Sequence, residues 1–264
     1  MVTPHLPPYQ AANALLPHVL GEELEKRRHE VSFLTFEAGA APRPRTACVR
    51  RRRSFRITRI PQLLEALETR RLARPLMLEA DVVHIHSNTW MNQVAARLAR
   101  SMKKPYVLTH YGTEIWHHDG RNRPFRRLNR DARHVTFYSA ALMSRARELA
   151  VPFSAGSVVY PAVDLMFSPL AGPEREAIRA PLVNSGEFLL FNVKRLHPLA
   201  DHATLLRAFS LLDPALKARL VIAGSGEEKE RLEALAASLE LGSRVRFLGL
   251  VPNQEVARLH GAAD

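Results

Sequence analysis

The chain has 264 residues, 46% of them hydrophobic, and a formal net charge of +12. That length allows one large or two medium domains with substantial cores, and the charge favours polyanionic partners: nucleic acid, an anionic membrane face or a phosphorylated substrate. A lone Cys48 excludes an intrachain disulfide, the start of the chain lacks the basic end and apolar run of a signal peptide, and no apolar run approaches the roughly 20 residues that span a bilayer, so a cytoplasmic protein is expected, with any membrane contact peripheral at the inner face.

Residues 1–3 are too short for a first strand, which should carry an apolar run before its turn, and Pro7-Pro8-Tyr9 reads as a rigid entry to the turn at 10–13. From residue 11 to 26 apolar positions recur at helical spacing, and 31–36 then reads as a strand. Further strands are expected at 82–86, 106–110, 135–138 and 157–160, with helical segments near 62–74, 89–102 and 140–149 between most of them. This alternation specifies a parallel sheet. Residues 161–181 have weak periodicity and read as a connector, after which strands resume at 188–193, 220–223 and 245–248. The expected fold class is therefore α/β, with a domain over 1–160, a linker over 161–186 and an incomplete second domain over 187–264. A doubly wound sheet places its first strand centrally, so stopping after three strands would leave one side of that strand unpaired. The chain reads as a fragment cut at both ends, with self-association expected through the open sheet edge.

Lys194-Arg195 ends one apolar run and Gly224-Ser225-Gly226 ends the next. Each delivers cation or bare backbone to the carboxyl edge of a sheet, where open α/β folds bind phosphate-bearing ligands. Gly224 and Gly226 would let a ligand approach the backbone, and a helix from about Glu227 would point its amides toward it; the bland alternative is a tight turn followed by acids, Glu227 and Glu228, favoured in a first helical turn. Strand alternation puts Lys194 and Arg195 on opposite faces, so one of them points at the ligand. Arg50, Arg51, Arg52 and Arg53, with Arg43, Arg45, Arg56 and Arg59 around them, form the densest basic segment. It is either a solvated loop or, with Arg51 and Arg52 at its centre, an acceptor-side patch for anionic lipid or a phosphorylated acceptor. Nucleic acid is not an expected partner, because no aromatic platform is interleaved with the arginines. His84 and His86 share a strand face, with His110, His117 and His118 following, which would suit a metal-dependent hydrolase. No regular acidic set accompanies them and the second domain would go unexplained, so no metal site is expected.

The segments Phe191-Asn192-Val193-Lys194-Arg195-Leu196-His197-Pro198, Thr204-Leu205-Leu206-Arg207-Ala208-Phe209, Leu220-Val221-Ile222-Ala223-Gly224-Ser225-Gly226 and Val245-Arg246-Phe247-Leu248-Gly249-Leu250-Val251 resemble, in order and spacing, the donor-binding domain of glycosyltransferase family 4. The first half agrees: Asp81-Val82-Val83-His84-Ile85-His86-Ser87 and Pro105-Tyr106-Val107-Leu108-Thr109-His110-Tyr111-Gly112-Thr113-Glu114 look like the acceptor domain's strand ends, and Tyr160-Pro161-Ala162-Val163-Asp164 looks like the interdomain linker. The resemblance covers nearly the whole chain. It implies a GT-B architecture, two Rossmann-like domains facing across a cleft, and retaining transfer of a sugar from a nucleotide diphosphate donor, with no cofactor beyond that donor substrate.

By that resemblance Arg195 is the catalytic cation: its bidentate fork would stabilise a departing diphosphate, with Lys194 as a mobile point charge beside it. His110 is the candidate for positioning the donor sugar, although the family histidine usually stands immediately before the glycine, where this chain has Tyr111. Glu114 and His117, and with lower rank Trp116 and His118, are placed on the same loop on the acceptor side. Where relatives carry a Gly-Gly pair after the first strand this chain has Ala11 and Ala12 among Gln10-Ala11-Ala12-Asn13, and where they carry a Lys-Gly pair it has Ala200 and Asp201. Relatives also carry two glutamates seven residues apart, downstream of the segment corresponding to Ala262-Ala263-Asp264. A chain lacking them is expected to be inactive or nearly so, and the alternative reading is a nucleotide-binding relative with no activity.

Overall fold

The computed structural model describes residues 1–9, 11–36, 44–51, 60–117, 120–163, 165–213 and 215–264. It divides into two units, Met1–Pro161 and Ala162–Asp264, each built on a parallel sheet.

In the first unit α1 (Ala12–Lys26) starts from Ala11, whose extended φ of −122° any L residue adopts. Pro17 lies inside α1 and removes the N–H that would bond the Asn13 carbonyl; the Thr3 hydroxyl donates to that carbonyl instead. β1 (Phe33–Thr35) and β2 (Thr46–Cys48) follow. β2, only three residues long, carries no periodic signal by which to foresee it. α2 (Ile60–Glu79) runs on through Pro75, past its expected end at 74, because Ala73 and Met77 on its inner side are buried in the core. The rest alternates: β3 (Val83–His86), α3 (Trp90–Ser101), β4 (Tyr106–His110), α4 (Thr113–Trp116), α5 (Arg123–Arg130), β5 (His134–Phe137), α6 (Ala140–Glu148) and β6 (Gly156–Val158). Side chains of Thr89, Asn122 and Ser139 accept the amides of Asn92, Phe125 and Leu142, which fixes where α3, α5 and α6 begin.

Residues 1–3 correct the expectation that they are too short to serve as a first strand. Val2 bridges both Leu34 and Ile85, giving the sheet order β2, β1, Val2, β3, β4, β5, β6. Val2 N donates to His84 O at 2.8 Å, His86 N to Val2 O at 2.8 Å, and Thr3 N to Leu34 O at 3.0 Å. Neighbours on both sides satisfy the backbone, so a short segment suffices in the central position. Val83, Ile85, Tyr106, Leu108, Val135 and Phe137 alternate onto one face and join the main core. His84, His86, Thr109 and Thr136 therefore stand on the other.

In the second unit residues 172–179 correct the reading of 161–181 as a featureless connector: they form α7 (Gly172–Arg179), whose Ile178 packs with Leu259 and Ala262. Then come β7 (Phe188–Val193), α8 (His202–Ser210), β8 (Ala218–Ala223), α9 (Lys229–Ser238), β9 (Val245–Gly249) and α10 (Asn253–Ala262), with sheet order β7, β8, β9. Leu220 and Ile222 of β8 join the α8 and α9 core, while Val221 joins Val183 and Leu189 on the opposite face, so both faces of this sheet are covered. Among the described residues β7 has a strand partner on one side only. On its other side Asp264 N donates to Leu189 O at 3.0 Å and the Asp264 carboxylate accepts from Leu189 N at 2.8 Å. Burial works to raise the Asp264 carboxyl, but the Leu189 amide and the guanidinium groups of Arg179 and Arg175 hold it down at about 2. Among the described residues no helix is long and apolar enough to cross a membrane.

Candidate functional site

In the second unit the two loops at the carboxyl edge press together backbone to backbone. Lys194 N donates to Ala223 O at 3.1 Å, Leu196 N to Ser225 O at 3.0 Å and Glu228 N to Leu196 O at 3.2 Å. Gly224 has φ 143°, and a Cβ there would lie 2.0 Å from Lys194 O; one on Gly226 would lie 2.1 Å from Leu196 O. Both positions thus need glycine for the approach of this chain's own backbone. Lys194 and Arg195 diverge as strand alternation requires. The Arg195 side chain is 73% exposed, with Nη2 3.6 Å from Glu227 Oε2, and His197 Nε2 is 3.5 Å from Glu227 Oε1. The Glu227 carboxyl lies below its ordinary range, held there by its own backbone amide first, then by His197 and Arg195. Lys194 instead acts on His202, a buried ring whose pKa falls through burial and then through that cation; its Nε2 is 3.1 Å from Asn192 Oδ1.

Ala200 closes a short 3-10 turn, and Asp201 follows in the left-handed region at φ 49°, ψ 46°. A residue suited to that conformation is needed here, and aspartate tolerates it while its carboxylate also accepts the Thr204 amide at 3.4 Å to cap α8. Ala200 carries no cation, and Arg195 and Lys194 stand at this edge.

In the first unit the edge is built by the ends of β3, β4 and β5. His84 Nε2 is 2.7 Å from Thr109 Oγ1, which is 2.7 Å from Thr136 Oγ1; His86 Nδ1 is 2.8 Å from the Tyr111 hydroxyl. The two histidine rings lie 3.9 Å apart, and Tyr111 packs edge-on to Tyr138 at 4.6 Å. Burial, then the chain's amino group, lowers His84 to about 4, and burial with the neighbouring His84 lowers His86 well below its ordinary value. Burial raises the Tyr111 phenol, so it stays protonated beside neutral His86. His84 and His86 are thus committed to Thr109 and Tyr111, and among the described residues no group of three His, Cys, Asp or Glu could hold a metal ion.

His110 does not face the opening at the strand end. It follows Tyr106 and Leu108 onto the α5 face of β4, is fully buried between Phe125 and Phe137, and places Nε2 2.7 Å from Asn129 Oδ1. Tyr111, one residue on, takes the edge position. Glu114 is turned back on its own loop, accepting from Gly112 N at 3.0 Å and Tyr111 N at 3.3 Å. His117 and Trp116 are exposed, and Ala11 and Ala12 begin α1. Arg51 is exposed, its guanidinium 5.6 Å from the Phe36 ring centroid. Arg52, with Gln10, Arg43, Arg53, Arg56, Arg59, His118 and Asp164, lies outside the described residues.

Sequence reasoning did not single out Asn92, which is fully buried and donates Nδ2 to Ser87 O at 3.0 Å and to His86 O, tying the start of α3 to the end of β3. Nor did it give Glu227 a partner; the only signal was its place beside a glycine turn.

Residues 18–167 match Glycosyltransferase Family 4, and residues 174–264 match Glycosyl transferases group 1. The chain is 32% identical over 202 residues to D-inositol 3-phosphate glycosyltransferase of Frankia alni, covering 68% of this chain and 49% of that protein. It is 27% identical over 197 residues to an uncharacterized glycosyltransferase of Methanocaldococcus jannaschii, covering 70% and 50% respectively. The chain thus spans about half the length of the curated relatives it matches. In fold it is similar to sucrose-phosphate synthase from Thermosynechococcus elongatus, with TM-score 0.71 at 16% identity over 99% of this chain and 70% of that one. It is similar also to Anabaena HepE in complex with UDP, with TM-score 0.76 at 19% identity over 100% and 72%. These likenesses show a GT-B type α/β fold.

Proposed function

The chain belongs to Glycosyltransferase Family 4, and we propose that it serves transfer of a sugar from a nucleotide diphosphate donor to an acceptor, with retention of anomeric configuration. The observation that carries this reading is Arg195, exposed at the end of β7 beside the Gly224 and Gly226 turn and paired with an exposed carboxylate. A diphosphate leaving group gathers negative charge as the glycosidic bond breaks, and a guanidinium fork meets two of its oxygens at once. The start of α9 adds amides on the same side. The UDP carried by Anabaena HepE, a protein of the same fold, supports a nucleotide ligand. Without a side-chain cation at Ala200, donor binding rests on Arg195 and is weak. His110 acts here as a positioning residue, holding the end of β4 against Asn129 so that Tyr111 stands at the edge.

Titration of the chain with UDP, GDP and ADP by calorimetry tests this. One of them binds and Arg195→Ala weakens it at least tenfold; equal affinity in that variant removes Arg195 from the site. The enclosure of His110 favours a second reading, nucleotide binding with no turnover. Release of nucleotide diphosphate from a panel of nucleotide sugars excludes it.

A further inference from the structure

α2 carries an unusual outward face. Glu65, Ala66, Thr69, Ala73 and Met77 are its buried residues. On the opposite side, at spacings of three and four, Ile60 is 61% exposed, Leu63 59%, Leu64 42% and Leu67 51%. A surface helix ordinarily turns charged residues to solvent there. The same line continues as Arg71, Arg74 and the exposed Leu78, with Arg70 at its flank. Of the carboxylates of α2, Glu65 is buried, Glu79 lies off this line and Glu68 stands at the flank opposite Arg70.

We propose that this face docks on an anionic membrane surface, the leucines entering the headgroup boundary and the arginines meeting lipid phosphates. Apolar anchors and cations on one helix face, with no carboxylate among them, are the chemistry of a helix lying in the interface plane. This assigns membrane contact to α2 and not to the run at Arg50 and Arg51, and it stands independently of donor binding.

The test is co-sedimentation of the full chain with vesicles of phosphatidylglycerol and phosphatidylcholine, against phosphatidylcholine alone. The chain binds the anionic vesicles, Leu63→Gln with Leu67→Gln cuts the partition at least tenfold, Arg71→Gln with Arg74→Gln cuts it several-fold, and Arg50→Gln with Arg51→Gln leaves it within twofold. All six positions are exposed, and an unchanged thermal transition confirms that each variant folds. Vesicle binding unchanged by the two leucine substitutions overturns the proposal. So does a chain that ignores vesicles, or a dimer in light scattering that those substitutions convert to monomer.

Discussion

Arg195 Nη2 stands 3.6 Å from Glu227 Oε2, across the join between the loop leaving β7 and the turn into α9. Glu227 therefore competes with any phosphate that approaches Arg195, while also limiting where the guanidinium can go. Both side chains are more than half exposed, and such a pair is screened by solvent and contributes little. Glu227→Gln is expected to raise nucleotide diphosphate affinity, by up to about fivefold. Calorimetry with UDP reads this, and a fall in affinity would instead make Glu227 an aid that aims Arg195.

Gly224→Ala and Gly226→Ala place a methyl 2.0 Å and 2.1 Å from backbone carbonyl oxygens. Neither obstacle is a flexible side-chain end, so the loops must part, and a loss of about 3 kcal/mol is expected for each. Urea unfolding measures it; a variant as stable as the parent would mean that the two loops separate freely.

Asp201 combines a left-handed backbone with a cap on α8. Asp201→Gly keeps the first and loses the second, costing a few tenths of a kcal/mol, whereas Asp201→Ala loses both and costs about 1–2 kcal/mol. The order of the two melting temperatures is the check.

His84 titrates at about 4 in the fold, lowered chiefly by burial, against an ordinary value of 6.5. Above pH 6.5 it is neutral folded or unfolded. As pH falls from there toward 4, the unfolded chain takes up a proton that the folded chain refuses, so stability is lost with acid. The buried His86 adds to the loss in the same direction. About 2 kcal/mol should go from His84 alone by pH 5. Urea unfolding at pH 7.5 and 5 measures the slope, and His84→Gln flattens it; an unchanged slope in that variant assigns the effect elsewhere.

Arg179 is buried and spreads its fork over three places: Nη1 donates to Ala262 O at 3.0 Å and Asp264 Oδ2 at 2.8 Å, and Nη2 to Glu187 O at 2.8 Å. It joins α7, the end of α10 and the entry to β7. Arg179→Met leaves these acceptors unmet and costs about 3 kcal/mol. Arg179→Lys recovers only part of that in a denaturant titration, since one ammonium cannot reach all three sites.

Periodicity in the chain specifies the strands at 106–110 and 188–193 and the alternation of their side chains, because a strand repeats every two residues whatever packs upon it. The glycine turn at 224–226 and the cation before it are legible for the same local reason. Which face is covered is not local. The sequence of β4 sets His110 on the same side as Tyr106 and Leu108, but only α5 folding over that side encloses the imidazole and leaves Tyr111 at the edge. Three residues at the start of the chain carry no recognisable strand pattern, yet Val2 joins two sheets because partners distant in sequence bond it from both sides. Local spacing was enough to specify the class of fold and the order of most of its elements. Long-range packing settled what each face meets: Glu227 against Arg195, Asn129 against His110, and solvent against the leucines of α2. Those outcomes depend on contacts between segments far apart in the chain, which the pattern along any one segment does not encode.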